Sequence, residues 1–321
     1  MRSTASPAAI WAGLLTIYVV WGTTYLGIAF AIETIPPYVM VAVRFTIAGL
    51  LLAAIAAIRN GGLRRPSRRE VLDSLIVGAG LVAVGNALVG WGEQTVATGI
   101  AALLIALMPA WAAFLGRVFF GDRLPALAFV GIAIGLAGIA ILSWPVGGSS
   151  TLEPAGLLAL LIAPIGWSSA SLYSAKRAHH PSPALFSTAL QMFLGGLVGF
   201  AVAGVTGELG AFHPAAVSGT SILAMVYLTI VGSLIGYTTY GWLLRVAPIS
   251  RVATYAYINP IVAVGLGVVV LNEPFTPRTV VASVVIVVAV ALIVRSRGRA
   301  TQPARQPAAN SAQPDAEARA A

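Results

Sequence analysis

Long apolar runs alternate along the chain with short stretches that are rich in Arg, Pro and Gly. A helix that crosses the lipid core needs about 20 mostly apolar residues, and ten runs approach this condition. They cover residues 10–30, 38–58, 74–92, 97–116, 125–143, 155–175, 184–204, 220–244, 252–271 and 277–294. The first run exceeds the roughly 7–15 apolar residues of a signal peptide, so we interpret it as a retained helix. The pattern predicts an all-α integral membrane protein with ten transmembrane helices.

The two halves of the chain resemble each other, as often happens in multi-span membrane proteins. A shift of 146 positions aligns Trp21 with Trp167, Pro37 with Pro183 and Gly49 with Gly195. A shift of 151 positions aligns Gly85 with Gly236, Trp91 with Trp242, Pro109 with Pro260 and Asp122 with Glu273. Because each half holds five spans, the second half must cross the membrane in the opposite direction. We predict two inverted five-helix repeats at residues 10–143 and 155–295, and a disordered cytoplasmic tail at 296–321.

Basic residues predict the orientation of these helices, because short cytoplasmic loops are enriched in Lys and Arg. With the amino terminus inside, 17 of the 19 basic residues lie on the cytoplasmic side, whereas Arg278 lies outside and Arg44 within the second span. The formal net charge of +9 therefore reflects topology, and we expect no nucleic-acid partner. The sequence predicts a multi-pass protein of the cytoplasmic (inner) membrane, in contact with the lipid bilayer and with both termini cytoplasmic.

Composition narrows the functional classes. Hydrophobic residues make up 58% of the chain and charged residues 9%, against roughly a quarter charged in soluble domains. There is no cysteine, the three histidines fall in predicted loops, and the carboxylates are scattered at span ends. We therefore predict no catalytic residues, no metal site and no cofactor, with an intramembrane enzyme as the alternative class. The only lysine, Lys176, belongs to no phosphate-binding loop motif, which excludes an ATPase of that kind.

Several short motifs resemble those of a known family. They are Trp21-Gly22-Thr23-Thr24-Tyr25-Leu26-Gly27, Pro36-Pro37, Arg44-Phe45, Gly92-Glu93, Pro109, Gly121-Asp122 and Asn272-Glu273-Pro274. Together they resemble an EamA-type member of the drug/metabolite transporter (DMT) superfamily over residues 10–295. The resemblance implies ten helices, cytoplasmic termini and export of metabolites such as amino acids, or of toxic compounds. The chain departs from the family pattern at Asp122, where Glu is usual. In the second half, Leu190 occupies the position that aligns with Arg44.

Aromatic and polar residues concentrate on spans one, six, eight and nine, whereas spans five and ten carry almost none and should face lipid or a partner helix. We predict a small-molecule substrate site near the bilayer midplane. Its candidate residues are Trp21, Tyr25, Arg44, Asn86, Glu93, Trp167, Ser171, Tyr237, Tyr240, Tyr255 and Asn259. For the serines, packing between helices is the alternative. Pro109 and Pro260 are predicted hinges because proline removes a helix hydrogen bond, although an ordinary packing kink explains them equally well.

Arg44 is the only basic residue within a predicted span, and three interpretations of it are open. Its side chain can snorkel to the outer interface, it can pair with Glu33 or Glu93, or it can bind the carboxylate of a substrate through two parallel hydrogen bonds. Carboxylate binding favours export of amino acids or related metabolites, whereas an aromatic lining alone favours multidrug export. Because no carboxylate lies in the middle of a span, we expect facilitated diffusion or exchange, and Glu93 is the nearest candidate for proton coupling.

Two further patterns concern the ends and faces of the predicted helices. Asp122 and Glu273 match between the halves and lie at span ends beside Pro125 and Pro274, so we interpret them as helix-ending residues. The spacing Gly131-x-x-x-Gly135 in the fifth span allows close helix packing, and it offers a face for a homodimer.

Overall fold

Ten long helices account for most of the residues in the computed structural model, which describes residues 5–122, 126–143, 153–247, 249–252 and 254–300. They are α1 (Pro7–Ile32), α2 (Pro37–Asn60), α3 (Arg68–Glu93), α4 (Thr98–Phe120), α5 (Ala126–Ser143), α6 (Pro154–Lys176), α7 (Ala184–Val205), α8 (Gly219–Val246), α9 (Tyr255–Leu271) and α10 (Pro277–Ala300). Shorter helical segments lie at Glu208–Ala211, Pro214–Ala216 and Ile249–Val252. No strand occurs in these described ranges, which confirms the prediction of an all-α chain.

Eight of the helices in the described part of the chain are long and apolar enough to cross a membrane. The other two, Ala126–Ile141 in α5 and Tyr255–Leu271 in α9, are apolar but shorter. The outer faces of the bundle carry large exposed apolar side chains such as Leu223 and Val269, which are 71% and 78% exposed. Such a surface is stable against lipid and unfavourable in water. The presence of ten spans stays a prediction, because length and composition support eight.

The helix ends follow local sequence signals. Ser67 and Glu70 form a capping box at the start of α3, in which each side chain accepts a hydrogen bond from the main-chain nitrogen of the other. Gly121 after α4 and Asn272 after α9 both adopt the left-handed conformation, with φ of 68° and 54°. The residues that follow them, Asp122 and Glu273, donate their main-chain N–H to equivalent carbonyls one and a half turns back. The two halves therefore end these helices in the same way.

The main helix contacts join one half of the chain to the other. α2 packs along α7, α5 along α10, α1 against α8 and α9, and α3 against α6 and α7. The glycines of the fifth span serve this internal packing, because a Cβ at Gly131 would lie 2.6 Å from Ile293 and one at Gly135 would lie 2.6 Å from Leu107. A homodimer stays a prediction, but these two glycines face residues of their own chain.

Three helices depart from regular α geometry near the middle of the bundle. α3 contains a π-helical segment at Ala79–Asn86, and α8 contains one at Leu228–Ile235. α4 is interrupted at residues 106–107, directly before Pro109. Pro260, in contrast, lies inside an unbroken α9. A π-helical segment widens a helix locally and frees backbone groups, so such segments often lie at functional sites.

The predicted tail begins too early. α10 runs to Ala300, so the first residues of the segment 296–321 are helical rather than disordered. The physical reason is that an apolar helix is already nucleated before this point, and the arginines that follow, Arg295, Arg297 and Arg299, have good helix propensity, so a few residues extend it at little cost. Residues 301–321 lie outside the described residues.

Candidate functional site

A cavity lies between the two halves of the chain. Its described lining residues are Trp21, Thr24, Tyr25, Ile28, Arg44, Gly85, Asn86, Val89, Ala102, Ile105, Ala106, Met108, Trp167, Tyr237, Tyr255, Ala256, Asn259 and Pro260. Trp21, Trp167, Tyr237 and Tyr255 also line a wider groove of about 1430 Å³, which extends toward the end of α6. The groove further includes Ser171, Ser174, His180, Ser187, Gln191, Tyr240 and Leu244. The cavity and the groove are therefore neighbours that share an aromatic wall.

Trp21 is the centre of this aromatic wall. Its ring centroid lies 5.7 Å from that of Tyr237, 5.1 Å from Tyr240 and 5.0 Å from Tyr255. Trp167 reaches the same cluster through Tyr237, at 6.3 Å between centroids. Rings at these distances in tilted and edge-to-face arrangements attract one another, so the wall is a packed surface rather than a set of loose side chains.

Each tryptophan packs against a glycine of the other half. A Cβ at Gly236 would lie 2.5 Å from Trp21 Nε1, and a Cβ at Gly85 would lie 2.9 Å from Trp167 Cε3. Only glycine leaves room for an indole this close to a helix backbone. The two tryptophans and the two glycines are the pairs that align between the halves of the sequence, so the same contact is made twice with the halves exchanged.

Arg44 lies on α2 with its guanidinium against α8. It is 2% exposed, and its Nε donates a hydrogen bond to Ser233 Oγ at 2.9 Å. The guanidinium carbon lies 4.8 Å from the centre of the Phe45 ring, and a Cβ at Gly232 would lie 3.0 Å from Nη2. The π-helical segment of α8 thus supplies both the hydroxyl that orients Arg44 and the space that the guanidinium group occupies.

The structure excludes two of the three interpretations of Arg44 among the described residues. Its burial means that the side chain does not snorkel to an interface. No described carboxylate forms an ion pair with it, so the predicted pairing with Glu33 or Glu93 is wrong for this conformation. Nη1 is buried and has no hydrogen-bond partner. A charged donor that lines the cavity is therefore available for a ligand.

The side-chain amides of the two asparagines of the cavity lie against main-chain oxygens. Asn86 Nδ2 donates to the carbonyl oxygen of Leu81 at 2.9 Å, within the π-helical segment of α3. Asn259 is 7% exposed, and its amide nitrogen lies within 3.2 Å of the main-chain oxygen of Tyr18 and within 3.1 Å of that of Tyr255. Asn259 thereby links α9 to the backbone of α1 beside the cavity.

At one end of the bundle, carboxylates cap the first turns of helices from other segments. Glu273, after α9, accepts hydrogen bonds from Thr98 N at 2.6 Å, Thr98 Oγ1 at 2.7 Å and Gly99 N at 3.1 Å. Glu208 accepts from the main-chain nitrogens of Tyr38 at 2.8 Å and Val39 at 3.3 Å, at the start of α2. Unpaired N–H groups and the helix dipole stabilise a carboxylate there. We call this end, where Glu273 joins α9 to α4, the Glu273 end.

At the opposite end, the residue equivalent to Glu273 has a different partner. Asp122, after α4, forms an ion pair with Lys176 at the end of α6. The start of α9 carries no side-chain cap in the described residues. The groove reaches this end at His180 and Leu244. We call it the Lys176 end.

The sequence comparison identifies the family to which these features belong. The EamA-like transporter family matches residues 7–144 and again residues 154–295, so nearly the whole of both halves is covered. This chain belongs to the EamA-like transporter family. The two matches show that the chain consists of two EamA repeats, and they confirm the resemblance inferred from the motifs.

Relatives agree with membership of this family. The chain is 36% identical over 285 residues to a protein of Escherichia coli (strain K12) named as an uncharacterized inner membrane transporter, YedA, with 88% of this chain and 90% of the relative covered. It is 26% identical to a probable amino-acid metabolite efflux pump of the same strain, covering 82% and 87%. A crystal structure with 21% identity shares the fold at a TM-score of 0.62, covering 93% of this chain and all of the other. The chain is thus a multi-pass inner-membrane transporter.

The structure brings most of the predicted site residues of this EamA protein together, but not all of them. The cavity is lined by Trp21, Tyr25, Arg44, Asn86, Trp167, Tyr237, Tyr255, Asn259 and the predicted hinge Pro260. Ser171 and Tyr240 line the groove instead. Glu93, at the end of α3, and Pro109, after the break in α4, line neither space. None of the predicted roles in binding or hinging is tested by these positions.

Sequence reasoning missed the residues on α8 that orient Arg44. Ser233 and Gly232 lie within an apolar span, where small residues commonly serve helix packing, so their types carried no distinctive signal. It also missed His180, whose ring nitrogens lie 3.2 Å from Ser187 Oγ and 2.8 Å from the carbonyl oxygen of Ser174. Its position in a predicted loop gave no sign that its side chain lines the groove.

Proposed function

We propose that this chain is a secondary transporter that exports small metabolites with a carboxylate group, such as amino acids, across the cytoplasmic membrane by alternating access. The observation that carries the proposal is that the guanidinium of Arg44 is buried beside the cavity without a carboxylate partner among the described residues. A buried guanidinium without a carboxylate partner is energetically costly in a protein interior. A substrate carboxylate would supply the missing anion and would accept two parallel hydrogen bonds from the fork.

The aromatic wall suits the remainder of such a substrate. Trp21, Tyr237 and Tyr255 offer apolar area beside Arg44, so a solute with a carboxylate at one end and an apolar side chain at the other matches both features. The relative named as a probable amino-acid metabolite efflux pump supports this substrate class.

We further infer ten transmembrane helices in two inverted repeats, with both termini in the cytoplasm. The contacts of Trp21 with Gly236 and of Trp167 with Gly85 support the inversion, since each half supplies a tryptophan to the other half and a glycine that receives one. The charges support the orientation. The described basic residues of the Lys176 end include Arg59, Arg64, Arg65, Arg68, Arg69, Arg117, Lys176, Arg177, Arg245, Arg251 and Arg295. The Glu273 end holds only Arg278 among described basic residues, so it is the outer end.

Alternating access is supported by the difference between the two ends. The groove leads from the aromatic wall to the Lys176 end, while Glu273 joins α9 to α4 at the other end. In this arrangement a solute reaches the cavity from the cytoplasm. Export then requires the Glu273 contact to open and the Lys176 end to close.

The test measures binding and transport by purified protein in liposomes, with leucine and leucinamide as probes that differ in the carboxylate. We expect leucine to be exchanged and leucinamide not, and we expect Arg44→Ala to abolish leucine exchange while it remains folded. Arg44→Lys, which keeps the charge but loses the planar fork, should retain a small part of the activity. Arg117→Gln, an exposed arginine of the Lys176 end, is the matched control and should behave as the wild type.

A second candidate function, multidrug export, is favoured by the aromatic wall alone. Cationic aromatic compounds bind to ring faces without a carboxylate. Transport of such a dye that persists in Arg44→Ala, with no exchange of leucine by the wild type, would favour this candidate and contradict the first.

A further inference from the structure

Glu93 is a buried carboxylate that the substrate site does not use. It is the last residue of α3, and both of its carboxylate oxygens are buried without a hydrogen-bond partner in the described part of the chain. It lines neither the cavity nor the groove. Every other described carboxylate of the Glu273 end that is engaged, namely Glu153, Glu208 and Glu273, accepts hydrogen bonds from a helix start.

The charged and titratable groups around Glu93 are few. Tyr25 on α1 and Glu273 after α9 are the groups whose electrostatic interaction reaches it. α6 contributes Glu153, which caps its own helix at Gly156, and α2 contributes Arg44, which is bound to Ser233. α4 carries no charged side chain between Thr98 and Gly116. Among the described residues no cation forms an ion pair with Glu93, and the charged group whose field reaches it is another carboxylate, that of Glu273.

An ionised carboxylate is unfavourable in such a place, whereas a protonated one is neutral and tolerated. A metal cation fits the site less well, because Na⁺ or a divalent ion requires several oxygen ligands, and the described residues hold no cluster of three or more acidic, histidine or cysteine side chains. We propose that Glu93 is a proton-binding site that loads from the outer compartment when the contact between Glu273 and α4 opens. The direction of loading rests on the proposed function and its orientation.

The position of Glu93 relates this proton to the transport cycle. Glu273 caps α4 at Thr98 and Gly99, only a short connection after Glu93 in the chain, so separation of α9 from α4 exposes Glu93 to the outside. A hydronium ion of the outer solution transfers a proton to one carboxylate oxygen and leaves as water, and the neutral acid is buried again on closure. Tyr25 lines the cavity and is within electrostatic range of Glu93, so its hydroxyl offers the proton a route inward. Outward movement of solute is thereby exchanged for inward movement of a proton.

The first experiment needs no substrate. Infrared difference spectra of the purified full chain, recorded across a pH titration, report the C=O stretch of protonated carboxylic acids. We expect the band at neutral pH to be as strong in Glu33→Gln, which changes an exposed carboxylate at the same end, as in the wild type, and to be weaker in Glu93→Gln by the intensity of one carboxyl group. A band of unchanged intensity in Glu93→Gln overturns the proposal. Because glutamine is nearly isosteric with glutamate, an unchanged elution profile confirms that the variant is folded.

The second experiment uses leucine exchange and an imposed pH gradient in liposomes. We expect the gradient to drive leucine accumulation by the wild type and by Glu33→Gln, whereas Glu93→Gln should exchange leucine without responding to pH. Leucine exchange that ignores the pH gradient in the wild type, or follows a sodium gradient instead, overturns proton coupling and leaves the proposed function intact. An infrared band assigned to Glu93 without any leucine exchange has the opposite meaning: the proton site stands and the proposed substrate class fails.

Discussion

The two ends of the bundle use the same sequence element differently. After α9, Asn272 turns the chain and Glu273 caps α4 through Thr98 and Gly99. After α4, Gly121 makes the equivalent turn, but Asp122 pairs with Lys176 of α6 rather than with the start of α9. Both contacts join the two halves of the chain, but Glu273 binds the start of α4 whereas Asp122 binds a side chain at the end of α6.

This difference teaches how a repeated sequence can support two unequal ends. Glu273 and Asp122 both sit beneath their own helix, since a Cβ at Gly267 or at Gly116 would lie 2.3 or 2.7 Å from the respective carboxylate oxygen. The additional methylene of glutamate lets it reach the next helix, and the shorter aspartate is held by a lysine that has no counterpart near Glu273. The two contacts also differ in strength, so variants at the two ends should differ in effect.

The largest effect is expected for Glu273→Ala. It removes three hydrogen bonds to a charged acceptor, two of them from a helix start, for a loss of about 3 kcal/mol in the contact between α9 and α4. That loss shifts the balance between a closed and an open Glu273 end by roughly a hundredfold. The chain has no cysteine, so Ala102→Cys, in the cavity lining, can report the opening through its reaction rate with a membrane-impermeant maleimide from outside.

Glu153→Gln is the matched control for that experiment. Glu153 caps α6 at Gly156 N at 3.3 Å, so the variant weakens a helix start at the same end without separating the halves. Its labelling rate should stay within a few-fold of the wild type. Equal labelling of Ala102→Cys in the presence and absence of Glu273 would contradict the view that this contact closes the end.

A smaller effect is expected for Lys176→Met at the opposite end. The side chains of Lys176 and Asp122 are 32% and 38% exposed, and ion pairs this accessible contribute about 0.2–1 kcal/mol. Release of Asp122 should shift the equilibrium between the open and the closed Lys176 end toward the closed state, by about fivefold at most. The measurement is the labelling of Ser171→Cys in the groove from the cytoplasmic side, which should decrease. Arg245→Met, an exposed basic residue of the same end, should leave it unchanged, and an increase with Lys176→Met would reverse the assignment.

The sequence predicts the helices and the aromatic wall well, because both depend on strong local signals. A lipid-exposed helix requires a long apolar run, and the paired tryptophans and glycines stand out in a chain of aliphatic residues. The aligned pair Trp21 and Trp167 and the aligned pair Gly85 and Gly236 turn out to contact each other crosswise. Residues that align between the halves of the sequence are therefore residues that pack against each other in the fold.

The partners of the charged residues could not be predicted, because they are set by contacts between distant parts of the chain. Arg44 binds Ser233, 189 residues away, and nothing distinguishes that serine from others in the spans. The sequence predicts Glu273 only as a helix-ending residue, yet its carboxylate accepts a hydrogen bond from Thr98 in the other half. The small-residue spacing of Gly131 and Gly135 is equally compatible with packing inside one chain or between two, and here Ile293 and Leu107 fill the space.

The smallest effect concerns Glu208, whose carboxylate caps α2 at the Glu273 end. Burial raises the pKa of the Glu208 carboxyl above its ordinary value, although the N–H groups of Tyr38 and Val39 act against this rise. A group whose pKa is raised in the folded protein contributes stability below its ordinary pKa and loses that contribution as pH rises through the raised value. The wild type should therefore lose up to about 1 kcal/mol relative to Glu208→Gln as pH increases from acid to neutral, after screening by solvent. Thermal unfolding of the wild type and of Glu208→Gln in detergent, across this pH range, measures the difference. If the difference has the opposite sign, hydrogen bonding at α2 outweighs burial, and Glu208 stabilises its helix as an anion in the way that Glu273 does.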